Sequence, residues 1–250
     1  MKMKPEKKRL DILLVERGLA ASNQKAQAMI LAGEVHVDGA RVEKAGTHFA
    51  EQSRIEVSSR SEKYASRGGF KLEGALADFS MDVAGQVCLD VGASTGGFTD
   101  CLLQHGAARI YAVDVNVDQL AWKLRQDERV IRVERNAREL RGEDIPERVD
   151  LVVVDVSFIS VGKVVGPAAE VAKTGAHLLI LVKPQFELPR QDVPEGGIVN
   201  DPALHEKAIA QVREAVIGAG LDVLGVRASR LTGAEGNQEY FLHARKKSME

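Results

Sequence analysis

Apolar and polar positions follow two different patterns along the chain. From Leu10 to Met29 (LDILLVERGLAASNQKAQAM), apolar residues recur at helical spacing in two short segments broken at Gly18, with Ser22 placed to cap the second. In AGEVHVDGARV and RIEVSS, Val35, Val37 and Val42 alternate with polar residues around Asp38-Gly39, a hairpin-type pair. Two small helices followed by short strands predict a compact α+β module over 8–59, ahead of a polar joint, SSRSEKYASRGG. The domain boundaries expected are 1–59, a linker over 60–66, and 67–250.

Beyond the joint, strand and helix alternate. Strands are expected at 87–91, 110–115, 130–133, 151–156, 177–183, 221–229 and 239–244, and helices around 98–105, 117–126, 162–173 and 204–218. Continuous apolar runs such as LVVVDV and HLLILVK imply strands covered on both faces, as in an α/β doubly wound parallel sheet. The last two strands are joined by LTGAEGNQ, too short for a crossover helix, so they should pair antiparallel at one edge. The stretch PQFELPRQDVPEGGIVNDP reads either as a loop closing over a site or as a long connector.

Composition narrows the function classes. With 44% hydrophobic residues among 250, the chain can bury a full core. It carries no apolar run long enough to span a bilayer and no secretory apolar segment after MKMKPEKK, so a cytoplasmic protein with no membrane partner is expected. Cys88 and Cys101 read as core residues, and the six histidines show no metal-ligand spacing. Residues 1–71 hold 14 Lys and Arg against 9 Asp and Glu, the remainder 20 against 27. The basic end suits an acidic partner such as nucleic acid.

The stretch CLDVGASTGGFTD, residues 88–100, carries the first chemistry. Its glycines nearly match the phosphate-loop template, but Phe98 stands where the phosphate-reaching lysine would be. The dinucleotide fingerprint fails too, at Ser94 and Thr95. A glycine-rich turn after the first strand still lets a ligand approach the backbone, and the absence of a pyrophosphate signature points to an adenosine bearing something else. Asp114 ends the next strand where a carboxylate would accept both ribose hydroxyls, and Asn136 follows the third, where it could meet an adenine edge. Together these outline S-adenosylmethionine, with Asp90, Gly92, Ser94, Thr95, Gly96, Gly97, Phe98, Asp114, Asn136 and Asp155 as candidate cofactor residues.

The methyl acceptor follows from the later strand ends. The fourth ends Asp155-Val156-Ser157-Phe158, without the prolines that amino-group methyltransferases of this architecture use to grip a base, and neither cysteine lies in a nucleophile loop. What remains is charge: Lys71 in SRGGFKL, Asp155, Lys183 in LVKPQFE and Glu239 in GNQEYF. Two lysines and two carboxylates suit methylation of a ribose 2′-hydroxyl, a weak nucleophile until its proton is withdrawn. In this reading Lys183 accepts the proton or steers the attacking oxygen. Lys71 disfavours a full charge on Lys183 and holds the phosphodiester, while Asp155 and Glu239 orient the pair. Taken singly, Lys71 and Glu239 read equally as surface ion-pair partners, and Asp155 as a helix cap.

SRGGFKL, DVGASTGGFTDCLL, DVSFIS, LVKPQFE and GNQEYFLHAR, preceded by the module at 8–59, resemble the TlyA family of ribosomal RNA 2′-O-methyltransferases, often labelled hemolysin A. The resemblance spans nearly the whole chain. It implies a Rossmann-like, seven-stranded SAM-dependent methyltransferase domain of FtsJ type with a small N-terminal S-four-type RNA-binding domain. It also implies a catalytic tetrad at Lys71, Asp155, Lys183 and Glu239, and cytidine in ribosomal RNA as target. The chain departs from the family at Ser22-Asn23-Gln24-Lys25-Ala26, where Ser-Arg-x-x-Ala is usual, and at Glu62-Lys63-Tyr64-Ala65, where Arg-Ala-Trp-Val is. Ribosomal RNA or ribosomal subunits are therefore the expected partner, with Arg9, Lys25, Arg41, Lys44 and Arg67 as phosphate contacts, joined by Arg60 and Lys63. Two rivals stand beside this reading: a pore-forming haemolysin, and an assembly factor that binds RNA without chemistry. Nothing in the pattern sets an oligomeric state.

Overall fold

Leu10, Leu14, Ala26 and Ile30, brought round by helical spacing, meet Val35 and Val37 of a hairpin to make a small core. The computed structural model describes residues 7–20, 22–31, 33–57 and 63–247, with the side chain of Arg41 left out. They fall into two units, one up to Lys63 and one from Tyr64. Arg60 and Glu62 lie outside the described residues. In the first unit the elements are β1 (Lys7–Arg9), α1 (Leu10–Glu16), α2 (Asn23–Leu31), β2 (Val35–Val37), β3 (Ala40–Arg41), β4 (His48–Ala50) and β5 (Ile55–Val57). Ser22 Oγ accepts the Lys25 amide at 3.2 Å, capping α2 as its sequence predicts. Asp38 and Gly39 both take positive φ, 52° and 83°, the geometry of a two-residue hairpin turn. The small β1–β4 ladder is unannounced in sequence, because Lys7-Lys8-Arg9 has no alternation to read.

The second unit runs α3 (Gly68–Asp78), β6 (Val87–Val91), α4 (Gly97–Gln104), β7 (Arg109–Asp114), α5 (Trp122–Arg125), β8 (Val130–Glu134), β9 (Val149–Val154), α6 (Gly162–Val171), β10 (Ala172–Val182), α7 (Pro184–Glu187), α8 (Pro202–Gly218), β11 (Leu221–Ala228) and β12 (Tyr240–Lys246). Its sheet has the order β11-β12-β10-β9-β6-β7-β8. The strands from β10 to β8 are parallel, while β12 pairs antiparallel with both β10 and β11, so β11 forms the edge. Alternate residues feed two cores. Leu89, Val91, Val152, Val154 and Ile180 pack with α6 and α8, and Cys88, Leu151, Val153, Leu179 and Leu181 with α3 and α4. Both faces are covered, which is why these strands read as unbroken apolar runs. Cys88 and Cys101 are fully buried, as expected of core residues.

Two expectations change, and one open alternative narrows. The helix over 117–126 is a 3-10 turn (Val117–Gln119) and the single turn α5, separated by extended Leu120 and Ala121. The Ala121 amide donates to Thr95 O at 3.1 Å, so a tertiary bond to the glycine loop overrides local helical preference. Tyr64, placed in the joint by sequence, is fully buried in the second unit, edge-on to Phe70 at 5.1 Å. The connector after Lys183 is packed: Leu188 and Val199 bury against Ala208 of α8. The side chain of Asn237 accepts the Val199 amide and donates to Gly197 O.

Candidate active site

Parallel strands deliver their carboxyl ends to one side of the sheet, where the loops after β6, β7, β9 and β10 gather. β12 runs the other way, so it contributes its first residues there instead. Tyr240 pairs with Val182, which sets Glu239 level with Lys183. α3 brings Lys71 in from its first turn. The four charged residues thus come from four elements, Lys183 and Glu239 set level by the β10–β12 register and Lys71 carried in by α3.

The four charges form two pairs. Lys71 Nζ lies 2.5 Å from Glu239 Oε2, and Lys183 Nζ lies 2.6 Å from Asp155 Oδ1. Lys183 also donates to Ser157 Oγ at 2.8 Å. The Ser157 contact is aligned as a hydrogen bond and the Asp155 contact is an ion pair by distance, so Lys183 keeps N–H directions for the cleft. Lys71, Asp155 and Lys183 line that cleft together with Gly92, Ser94, Thr95, Gly97, Phe98 and Arg67. Glu239, 2% exposed, stands behind Lys71 rather than in the cleft. The Lys71–Glu239 pair is therefore buried, not a surface ion pair. Gly233 makes room for it, since a Cβ there would meet Glu239 Oε1 at 2.7 Å.

The glycine loop fits a nucleoside. At Gly92, φ is 88° and a Cβ would fall 2.3 Å from Asp155 O, so only glycine permits this approach of β6 to β9. Gly96 (φ 93°) lies outside the cleft lining and packs against Leu120 and Leu124. Asp114, like Asp90 not itself among the cleft-lining residues, sits at the end of β7 and accepts the Ser94 and Asn116 amides at 2.9 and 3.1 Å; each oxygen keeps a lone pair for a hydroxyl. Asp90 is fully buried beneath the loop. Its Oδ2 accepts Thr99 Oγ1 at 2.6 Å, and its Oδ1 has no partner. Burial pushes its pKa up to about 7, against the Thr99 bond and with the help of the Asp155 charge. Such a group ionises readily when a cation arrives above it, as the charges of S-adenosylmethionine would. Asn136 lies outside the cleft lining, its Oδ1 taken up by the Arg138 amide at the start of a 3-10 turn.

Sequence missed Ser66, Ser157, Thr232 and Ala234, which also line the cleft. Thr232 and Ala234 belong to the link between β11 and β12, legible only as a turn. Phe158 stands in sequence only as the place where a proline is lacking, yet it is 88% exposed with φ 66°, beside Ser157 and 5.1 Å from the Phe186 ring. A bulky residue in the left-handed region is a departure that local sequence does not announce. Of the expected RNA contacts, Lys25 and Lys44 are exposed in the first unit, and Arg67 belongs to the second, lining the cleft and donating to Thr232 O. Arg9 is held by both oxygens of buried Asp11, whose pKa it lowers to about 2. The backbone of Arg41 pairs with His36; its side chain lies outside the described residues.

Comparison with known proteins identifies the family of each unit. An FtsJ-like methyltransferase model matches residues 64–246 and an S4 domain model residues 8–55. The Mycobacterium tuberculosis protein named 16S/23S rRNA (cytidine-2'-O)-methyltransferase TlyA is 47% identical over 239 residues, covering 95% of this chain and 89% of that one. A Brachyspira hyodysenteriae protein named Hemolysin A is 42% identical over 237 residues, 94% of this chain and 98% of that one. A Streptococcus thermophilus structure provisionally described as a hemolysin superposes with a TM-score of 0.76 at 38% identity, covering 98% and 90% of the two chains. The chain belongs to the FtsJ-like methyltransferases, in the TlyA group that carries an S4 domain ahead of the catalytic one.

Proposed function

We propose that this protein transfers a methyl group from S-adenosylmethionine to the ribose 2′-oxygen of a cytidine in ribosomal RNA, working in the cytoplasm. The observation that carries the reading is the pair of ion pairs at one cleft, with Lys183 fixed by Asp155 and Ser157 beside a glycine loop. When bound, the cofactor supplies an electrophilic methyl carbon. The candidate residues Asp90, Gly92, Ser94, Thr95, Gly97, Phe98 and Asp114 would hold it, Asp114 at the ribose. Lys183 steers the 2′-oxygen toward attack, passes one of its protons to Asp155, 2.6 Å away, and takes the hydroxyl proton on the nitrogen so freed as the oxygen meets the methyl carbon. Lys71, held by Glu239, and Arg67 supply positive charge for the adjoining phosphodiester. Catalysis is chiefly positioning, with the two reacting atoms held about 3 Å apart. Phe158 offers an exposed ring on which the target base can stack. Lys25 and Lys44 of the S4 unit contact RNA phosphates without reading sequence.

Incubation with methyl-labelled S-adenosylmethionine and unmodified ribosomal subunits tests the reading. Label is expected in ribosomal RNA at an alkali-resistant linkage; label at a base, or none, would count against it. Lys183→Ala is expected to lower turnover by about 10³-fold or more. Its cofactor affinity should stay near that of the wild type, and retained turnover would remove Lys183 from its role.

A further inference from the structure

Two loops that carry one partner each of the Lys183–Asp155 pair are tied together away from the cleft. Glu187, the last residue of α7, accepts Ser160 Oγ on Oε2 at 2.7 Å and the Val161 amide on Oε1 at 3.0 Å. Ser160 Oγ in turn accepts the Gly162 amide at 3.2 Å, so the carboxylate and the hydroxyl together satisfy amides at the start of α6. Glu187 is only partly exposed and does not line the cleft. Burial raises its pKa, and the Val161 and Ser160 bonds oppose that rise, as they would for a carboxylate fixed in place.

The segment so tied runs from Asp155 to Val161. Its first end is fixed by the Asp155 amide on Val91 O, at 2.9 Å. Between the ends, Ser157 receives Lys183 and Phe158 adopts its positive φ. A non-glycine residue held there is strained and persists only where its surroundings over-determine it. The Phe158 ring touches Phe186, the residue just before Glu187, and Phe186 in turn lies 5.9 Å from Lys183 Nζ.

We propose that Glu187 is a positioning residue for methyl transfer: it holds the 156–161 loop in its strained form, so that Ser157 meets Lys183 at the cleft and Phe158 stands out into solvent. This rests on the reading of the Lys183–Asp155 pair as the transfer site. A carboxylate is not needed for its charge here, only as a fixed pair of acceptors. Glutamine can keep one acceptor for Val161 and donate to Ser160 Oγ, so it should largely replace glutamate.

The test compares full-length wild type, Glu187→Ala, Glu187→Gln and Ser160→Ala for methyl transfer to ribosomal subunits, for S-adenosylmethionine affinity by calorimetry, and for melting temperature. Glu187→Ala is expected to lower kcat by about 10²-fold, the scale of a misplacement near 1 Å. Cofactor affinity should stay within about twofold and Glu187→Gln should recover most of kcat, since the bonds rather than the charge are what count. A Glu187→Ala chain that melts lower yet keeps kcat would make Glu187 a helix cap and nothing more, overturning the proposal. Loss of cofactor binding, or a glutamine variant as slow as alanine, would overturn it as well. Should Glu187→Ala not fold, Ser160→Ala removes one of the two bonds and carries the same comparison. A wild type that leaves ribosomal RNA unlabelled would defeat the parent reading, a result distinct from a wild type that works and an indifferent Glu187→Ala.

Discussion

Lys71 and Glu239 leave 10% and 3% of their side chains exposed, whereas Asp155, the partner of Lys183, leaves 23%. The deeper pair is the one whose halves depend on each other. Glu239→Leu strands an ammonium in the core and should cost about 3–5 kcal/mol in urea unfolding. Adding Lys71→Met should recover most of that loss while leaving the protein unable to transfer methyl. If Glu239→Leu alone proves as stable as wild type, the pair is solvated and not structural. Asp90 behaves differently. Its pKa of about 7, against an ordinary 3.8, means the folded protein keeps a proton that the unfolded chain releases. That contribution is whole below the ordinary value and is lost as pH rises through 7. Asp90→Asn should therefore raise the urea midpoint of the ligand-free protein more at pH 8 than at pH 5, and weaken cofactor binding; an equal gain at both pH values would contradict the assignment. At this scale the sequence speaks through residues whose type is demanded by chemistry or by backbone: Lys183 at a strand end, Gly92 at a close approach. It is silent about Glu187 and Asn237, whose bonds reach 26 and 38 residues away and leave no local trace.

Strands and helices were legible where both faces of an apolar run are covered, as in β6 and β9, and illegible where a distant bond decides, as in the broken helix at Leu120-Ala121. β10 and β12 add a feature that spacing could not give. His177 Nδ1 and His243 Nε2 lie 2.8 Å apart across these strands, with Phe79 packed 4.9 Å from the His243 ring. Burial first, and His177 second, push the pKa of His243 down to about 4; His177 is lowered by burial and by Arg245. Below the ordinary value of 6.5 the unfolded chain takes up a proton that folded His243 refuses. The stability it contributes is thus whole above pH 6.5 and lost as pH falls through 4. His243→Gln, which cannot titrate, should flatten the fall of the urea midpoint between those pH values. Two parallel curves would show that the ring is solvated. Asp90 acts with the opposite sign in part of the same window, so the difference between variant and parent is the quantity to read.

At the scale of the whole chain, charge divides as the two units do. Residues 1–63 hold 12 Lys and Arg against 9 Asp and Glu, Arg67 and Lys71 belonging to the second unit, and Lys25 and Lys44 of the S4 unit are exposed. If both neutralise phosphates, replacing them by alanine should reduce the slope of log affinity for ribosomal RNA against log salt by about 0.7–0.9 for each phosphate no longer neutralised. An unchanged slope would move the RNA elsewhere. The two-part plan was legible because the periodicity changes near the joint, though the second unit begins at Tyr64, a buried aromatic that a polar context disguised. Among the described residues no helix is long and apolar enough to cross a membrane.

β12 is the last of the seven strands to be synthesised, yet it lies inside the sheet, between β10 and β11. Until the ribosome has translated through it, β10 presents a bare apolar edge and Lys71 has no counterion. A nascent chain stalled or cleaved before residue 239 would therefore be inert and prone to stick to its neighbours. Competence arrives in one step, once β12 is in place, so copies that stop short of it cannot mark RNA.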